Sequence, residues 1–187
     1  MIRETVLAAG LLALSVPASA DEFTETLDAV AEAYAAGDIN AAADDLAYAA
    51  QLLQHMKGDA FAALLPEAMD GWTREVQTEG NAAMGLLGGG VSARADYRNG
   101  AGASFSITMI ADNPGFAGLV GMYANPQLLA TMGEIVRIGR QNFVVSESGE
   151  ISGLVGGRTM IQASGNAPRE AIIAHLKRFD FNALTTR

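Results

Sequence analysis

Apolar residues recur at helical spacing through the first part of the chain and predict two helices joined by a tight turn. The first helix is expected to end at Gly37, and Asp38 can cap the helix that follows. Gly58 is a natural stop for this second helix, and a short third helix fits between Asp59 and Pro66. Such short connections favour antiparallel packing. The apolar stripes consist of Phe23, Leu27, Val30 and Tyr34 on the first helix, and of Ile39, Ala42, Leu46, Ala49, Leu53 and Met56 on the second.

Alternation of apolar and polar residues replaces the helical pattern from Trp72 onward and predicts β-strands. One strand fits residues 72–79. Residues 91–111 have the pattern of a β-hairpin, with a turn signal at Asn99-Gly100 between two alternating runs. The second part of the chain is therefore expected to be rich in antiparallel strands.

Helix signals interrupt this strand pattern in the middle of the chain and at its end. A mid-chain helix is expected to start at Asn113-Pro114 and to be interrupted at Asn125-Pro126. The last helix opens at residues 166–168. The remaining strands fit residues 135–138 or 143–145, then 151–155 and 159–163. The predicted fold class is α+β, with an N-terminal helical hairpin followed by an antiparallel β-sheet with helices packed on it.

The first twenty residues have the pattern of a cleavable signal peptide. Arg3 precedes an uncharged apolar run at residues 6–16, and Pro17 separates that run from Ala18-Ser19-Ala20. The run is eleven residues long, whereas a membrane-spanning helix needs about 20. We therefore expect cleavage after Ala20, with Ala18 and Ala20 as the small residues of the cleavage site. The mature chain is then periplasmic or secreted and has no transmembrane segment.

Charge is divided unevenly between the two parts of the mature chain. Residues 21–70 hold eleven carboxylates and one lysine, whereas residues 71–187 hold nine acidic and ten basic side chains. The net charge of −9 argues against nucleic acid as a partner, because phosphate backbones require clustered Lys and Arg. The chain has no cysteine, which excludes a disulfide scaffold. We expect a monomer with a signal peptide at 1–20, an acidic helical hairpin at 21–66 and an α+β sheet domain at 67–187.

Two resemblances extend this description. The turn at residues 37–42, followed by Leu46 and Ala49, resembles one tetratricopeptide repeat, a unit that normally buries its faces by stacking on further copies. Residues 65–184 resemble the PsbP-like fold on the motifs Leu65-Pro66, Gly71-Trp72, the Tyr97 strand and Phe179-Asp180-Phe181. That resemblance implies a non-enzymatic accessory or assembly factor. The combined arrangement is also similar to uncharacterised exported bacterial proteins, which implies no function.

Patterns typical of catalysis, metal binding or cofactor binding are missing from the sequence, so we expect neither enzyme activity nor a cofactor. A metal site needs clustered ligands, and the chain offers two histidines and no thiol. His55 is expected near the end of the second helix, and His175 on the solvated flank of the last helix. A nucleophilic serine would be expected in a Gly-x-Ser-x-Gly turn, which is absent. Ser104 and Ser106 are expected to point outward from a strand.

An uncharged glycine-rich segment at residues 82–90 is a candidate for contact with a partner or ligand. It lacks the Lys-Ser or Lys-Thr pair of a phosphate-binding loop. The segment is therefore either a wide turn between two strands or a mobile loop that buries itself in a partner or at a membrane surface.

A row of alternating charges follows this segment on the next strand. Arg94, Asp96 and Arg98 either form a surface ion-pair row or face a concavity with Arg74 or Arg158, where they would bind a carboxylate or phosphate. The candidate contact residues are Met84, Leu86, Leu87, Gly88, Gly89, Gly90, Arg94 and Arg98.

Three functional hypotheses come from different classes. The first is a non-catalytic periplasmic accessory or protein-interaction module with an envelope protein as its partner, in which the acidic hairpin is either a solvated face or a surface for a basic partner. The second is a carrier of a small apolar or anionic ligand held between the sheet and the mid-chain helix. The third is hydrolysis that depends on Ser104, Ser106 and His175.

Overall fold

The computed structural model of the protein describes residues 18–77 and 90–185. These described residues divide into two compact units, with the boundary between Leu53 and Gln54. The fold class is α+β, as predicted: two helices come first, and a seven-stranded antiparallel sheet with further helices follows. We call residues up to Leu53 the hairpin unit and residues from Gln54 onward the sheet unit.

The hairpin unit is built from helix α1, Ala18–Ala35, and the first part of helix α2, Ile39–Ala62. Gly37 has a positive φ of 81° at the turn, and a glycine adopts this conformation without steric cost. Asp38 caps α2 as expected, because its Oδ1 accepts a hydrogen bond of 3.0 Å from the amide of Ala41. Between the two helices, the Tyr48 hydroxyl donates to Glu22 Oε1 at 2.6 Å.

Helix α2 does not stop at Gly58, and the short third helix predicted after it is wrong. The helix continues through a buried Gly58 to Ala62. A glycine inside a helix costs about 1 kcal/mol relative to alanine. The continued turns offset this cost because they bring Phe61 and Ala62 into the hydrophobic core of the sheet unit. The last turns of α2 therefore belong to the sheet unit.

The sheet unit contains seven strands, and all neighbouring strands are antiparallel in the order β1-β2-β3-β7-β6-β5-β4. The strands are β1 Trp72–Gln77, β2 Val91–Asn99, β3 Ser104–Ala111, β4 Glu134–Ile138, β5 Gln141–Val145, β6 Ile151–Val155 and β7 Thr159–Gly165. A 3-10 turn spans Pro114–Phe116, and the helices are α3 Ala117–Ala124, α4 Pro126–Leu129, α5 Arg169–Leu176 and α6 Phe181–Thr185.

Local turn signals in the sequence are confirmed by the side chains that form the turns. In the β2–β3 hairpin, Asn99 Oδ1 accepts hydrogen bonds from the amides of Ala101 and Ala103, at 3.0 and 2.9 Å. Asn113 accepts from the amide of Gly115, and Asn125 from that of Gln127, where the mid-chain helix begins and restarts. The two strands left as alternatives both form, and β4 pairs with β5.

One face of the sheet carries the main core. Tyr97, Ala95 and Ala93 of β2 lie opposite Phe105, Ile107 and Met109 of β3. Helix α5 packs on this face, and all of these residues belong to one buried cluster with Ile172, Leu176 and Phe179. Because side chains alternate along a strand, the charged residues of β2 lie on the opposite face.

The opposite face is covered where β5, β6 and β7 lie. Ser152 Oγ is 3.1 Å from the Tyr123 hydroxyl, so the mid-chain helix packs over the face that carries Ser152. Further buried residues lie outside the main cluster, namely Leu129, Val144, Leu154 and Met160. The sheet is therefore a layer between helices over this half, as expected of an α+β fold.

Candidate functional site

Part of the glycine-rich candidate segment, residues 82–89, and most of the predicted leader, residues 1–17, lie outside the described residues. This includes Met84, Leu86, Leu87, Gly88 and Gly89. Ala18 and Ala20, the predicted cleavage positions, lie in the first turn of α1. Within residues 18–77 and 90–185, no helix has both the length and the apolar character needed to cross a membrane.

Gly90 is the described residue of that segment, and it lies against the end of β3. A β-carbon on Gly90 would meet the carbonyl oxygen of Ala111 at 2.7 Å, and its φ is 115°. Glycine is required here because the two backbones approach each other closely and because an L side chain rarely adopts this φ.

The arginine candidates are paired separately rather than gathered around one concavity. Arg94 Nη2 lies 2.9 Å from Asp96 Oδ1, and Arg98 Nη1 lies 3.7 Å from Glu75 Oε2. Arg74 Nη2 lies 2.7 Å from Glu67 Oε1, and Arg74 Nη1 donates to the carbonyl oxygen of Leu65 at 2.9 Å. Arg94 and Arg98 are exposed on the solvated face of β2, where an ion pair contributes little to stability.

His175 is buried, and the prediction that it lies on a solvated flank is wrong. His175 is 0 % exposed, and the centre of its ring lies 4.9 to 5.3 Å from the ring centres of Trp72, Tyr97 and Phe105. The sequence carried a signal for this, because Ile172, His175 and Leu176 share one helical stripe. The polar neighbours after Leu176 obscured that signal.

The two hydrogen bonds of His175 fix its neutral form. Nε2 accepts from the amide of Met69 at 3.3 Å, so the proton resides on Nδ1, which donates to the carbonyl oxygen of Ala171 at 2.8 Å. Burial lowers the pKa of His175, and Arg178 lowers it further, against the opposing effect of the Ala171 carbonyl. Both nitrogens are engaged within the protein, so this histidine is placed for structure.

The other groups weighed for catalysis are dispersed. Ser106 lies on the face of β3 opposite the main core, as expected of an outward strand position, but it is buried there at 8 % exposed. Ser104 donates its backbone amide to Asn166 Oδ1 at 2.7 Å, and His55 is exposed on α2. In the described part of the chain, no three His, Asp or Glu side chains come together as a metal site.

Each unit carries a concave surface that is lined by described residues. The first, which we call the hairpin groove, has a volume of about 370 Å³ and lies between α1 and α2. It is lined by Leu27, Val30, Ala31 and Tyr34 of α1 and by Ile39, Ala42, Ala43 and Leu46 of α2. Much of this lining is exposed, including Leu46 at 54 %, Ile39 at 59 % and Tyr34 at 70 %.

The second surface, which we call the sheet cavity, has a volume of about 360 Å³. Its wall comes from the last turns of α2, the beginning of β2, the end of β3, the β6–β7 turn and α6. The lining residues are Gln54, Lys57, Ala60, Phe61, Leu64, Gly90, Val91, Ala111, Asp112, Arg158, Thr159, Ala183 and Leu184. No described residue of α3 or α4 lines it, so its position differs from the site expected beside the mid-chain helix.

Comparisons of the chain with protein-family models, curated proteins and solved structures found no match.

Proposed function

We propose that the protein is a non-catalytic, exported interaction module whose hairpin groove binds a basic amphipathic helix of an envelope protein. The observation that carries this proposal is the exposed apolar lining of the groove on helical segments, within residues 18–53, whose charged side chains are all acidic. All eight charged side chains between Asp21 and Leu53 are carboxylates.

The lining has the spacing expected of a surface that receives a helix. On α1 it follows the pattern i, i+3, i+4, i+7 from Leu27 to Tyr34, and on α2 it follows the same pattern from Ile39 to Leu46. Two neighbouring stripes of this kind receive the apolar stripe of a third helix. Small residues at the middle of both stripes, Ala31 and Ala42, allow that helix to approach closely.

Charge selects the class of partner. The carboxylates that accompany the groove attract lysine and arginine and repel an acidic helix. Resemblance to a single tetratricopeptide repeat supports the same proposal, because a lone repeat has no further copy to cover its face. Apolar contact would supply affinity, while charge would set the partner class and the association rate.

The test is a titration of the full chain with two synthetic helical peptides by calorimetry. Both peptides carry leucine at i, i+3, i+4 and i+7, and one has lysine where the other has glutamate. We expect the lysine peptide to bind, its affinity to fall with added salt, and the glutamate peptide not to bind. Equal binding of the two peptides would contradict the proposal.

Groove variants separate this contact from general attraction between opposite charges. Burying the exposed halves of Ile39 and Leu46 contributes about 1 kcal/mol each, so the double variant Ile39→Asn/Leu46→Asn should bind roughly 30-fold more weakly. Leu128→Asn is the matched control, because Leu128 is 49 % exposed and lies in the sheet unit. Unchanged binding by the double variant would place the peptide elsewhere.

A further inference from the structure

The sheet cavity combines an apolar floor with a polar, cationic rim. Its floor is formed by the side chains of Phe61, Leu64, Val91 and Leu184. Lys57, Arg158 and Asp112 lie at the rim, and Arg158 Nε donates to Asp112 Oδ1 at 3.0 Å. Among the described lining residues that pair balances one cation, which leaves the charge of Lys57 in excess.

Lys57 is exposed and forms no ion pair with any described residue. A lysine on the rim of an otherwise apolar hollow can attract an anionic group from solvent and still keep its own hydration. A single excess positive charge matches one carboxylate. A phosphate dianion would leave one negative charge unbalanced.

Thr159 is a further polar residue of the cavity lining. Thr159 as a whole is 2 % exposed, and it borders the cavity. No hydrogen bond joins its hydroxyl to any described residue. A hydroxyl that borders a cavity can donate a hydrogen bond to a carboxylate oxygen of a ligand.

We propose that the sheet cavity binds a small monocarboxylate with an unbranched apolar tail, of the medium-chain fatty acid class. Lys57 and Thr159 receive the carboxylate, and the tail lies on the apolar floor. A volume of about 360 Å³ holds about a dozen non-hydrogen atoms at about 30 Å³ each. Decanoate has this size. The site lies in the sheet unit, so its test does not depend on the hairpin groove.

The first experiment is calorimetric titration of the full chain with decanoate and with decanol. We expect decanoate to bind with one-to-one stoichiometry and decanol to bind about tenfold more weakly, because it lacks the charge that meets Lys57. Absence of decanoate binding would overturn the proposal. Equal binding of decanol would overturn its claim about the carboxylate.

Matched variants locate the site. Lys57→Gln should weaken decanoate binding about tenfold, whereas Lys177→Gln should leave it unchanged, because Lys177 is exposed and does not line the cavity. Thr159→Val keeps the shape of the side chain but removes the hydroxyl, and it should weaken binding severalfold. If Lys57→Gln and Lys177→Gln bind decanoate equally, the ligand does not occupy this cavity.

A variant that fills the cavity provides a check that is independent of charge. Ala183→Phe places a ring in the space that the tail would occupy, and it should abolish binding of both decanoate and decanol. Urea unfolding of the same preparation, followed by the fluorescence of Trp72, verifies that the variant is folded. A folded Ala183→Phe protein that still binds decanoate would contradict the proposed site.

Discussion

Acidification is expected to destabilise the protein through His175. The neutral ring accepts a hydrogen bond from the amide of Met69 and donates one to the carbonyl oxygen of Ala171. A second proton on the ring would turn Nε2 into a donor. Its N–H would then face the N–H of Met69, where a hydrogen bond of 3.3 Å now exists. Burial of the ring also disfavours the added charge.

The direction of the effect follows from the lowered pKa of His175. Since the folded protein holds this proton less tightly than the unfolded chain does, the unfolded chain binds more protons as the pH falls. The stability conferred by the neutral ring is fully present above about pH 6.5 and is lost as the pH falls through the folded pKa. One proton changes the free energy of unfolding by at most about 1.4 kcal/mol for each pH unit.

Urea unfolding followed by tryptophan fluorescence measures this effect, because Trp72 is the one tryptophan of the chain and its ring lies 5.3 Å from that of His175. His175→Phe should flatten the pH dependence between about pH 7.5 and about pH 5.5. At the higher pH it should cost about 1 kcal/mol, because the amide of Met69 loses its acceptor. The control His55→Phe, at the exposed histidine, should retain the wild-type pH dependence. Parallel curves for wild type and His175→Phe would refute this account.

Two further substitutions test the core by the same urea measurement. Tyr97→Phe removes the hydroxyl that donates to the carbonyl oxygen of Pro66 at 2.6 Å. Because that carbonyl oxygen also accepts a hydrogen bond from an arginine, the free energy of unfolding should fall by about 1 kcal/mol. A fall of more than about 3 kcal/mol would contradict this explanation. Gly153→Ala should destabilise by about 1 to 3 kcal/mol, because its β-carbon would lie 2.5 Å from the Phe143 ring. A β-carbon at Gly118 would lie in open space, so Gly118→Ala should instead stabilise α3 by about 0.5 to 1 kcal/mol. Equal effects of the two alanine substitutions would be inconsistent with the packing described.

Features that depend on neighbouring residues could be predicted from the sequence. The Asn99 turn and the helix starts at Asn113 and Asn125 were correct because each asparagine bonds to an amide a few residues further along. Alternation along residues 91–111 also predicted the two paired strands of the hairpin, since the side-chain period of a strand is two.

Features that depend on distant residues could not be predicted in the same way. Continuation of α2 past Gly58 requires the core that Phe61 enters, which a local helix-stop rule does not include. The order of the sheet depends on the pairing of β3 with β7, which lie far apart in the chain. The sheet cavity gathers residues from position 54 to position 184, so no short motif marks it.

The central claim is that the hairpin groove receives a basic amphipathic helix, and mapping of backbone amide shifts by NMR tests it most directly. On addition of the leucine–lysine peptide to the full chain, the largest shifts should fall on amides near Leu27, Ala31 and Ala43, which line the groove. Shifts concentrated instead in the sheet unit, or spread evenly over all acidic segments, would contradict the claim.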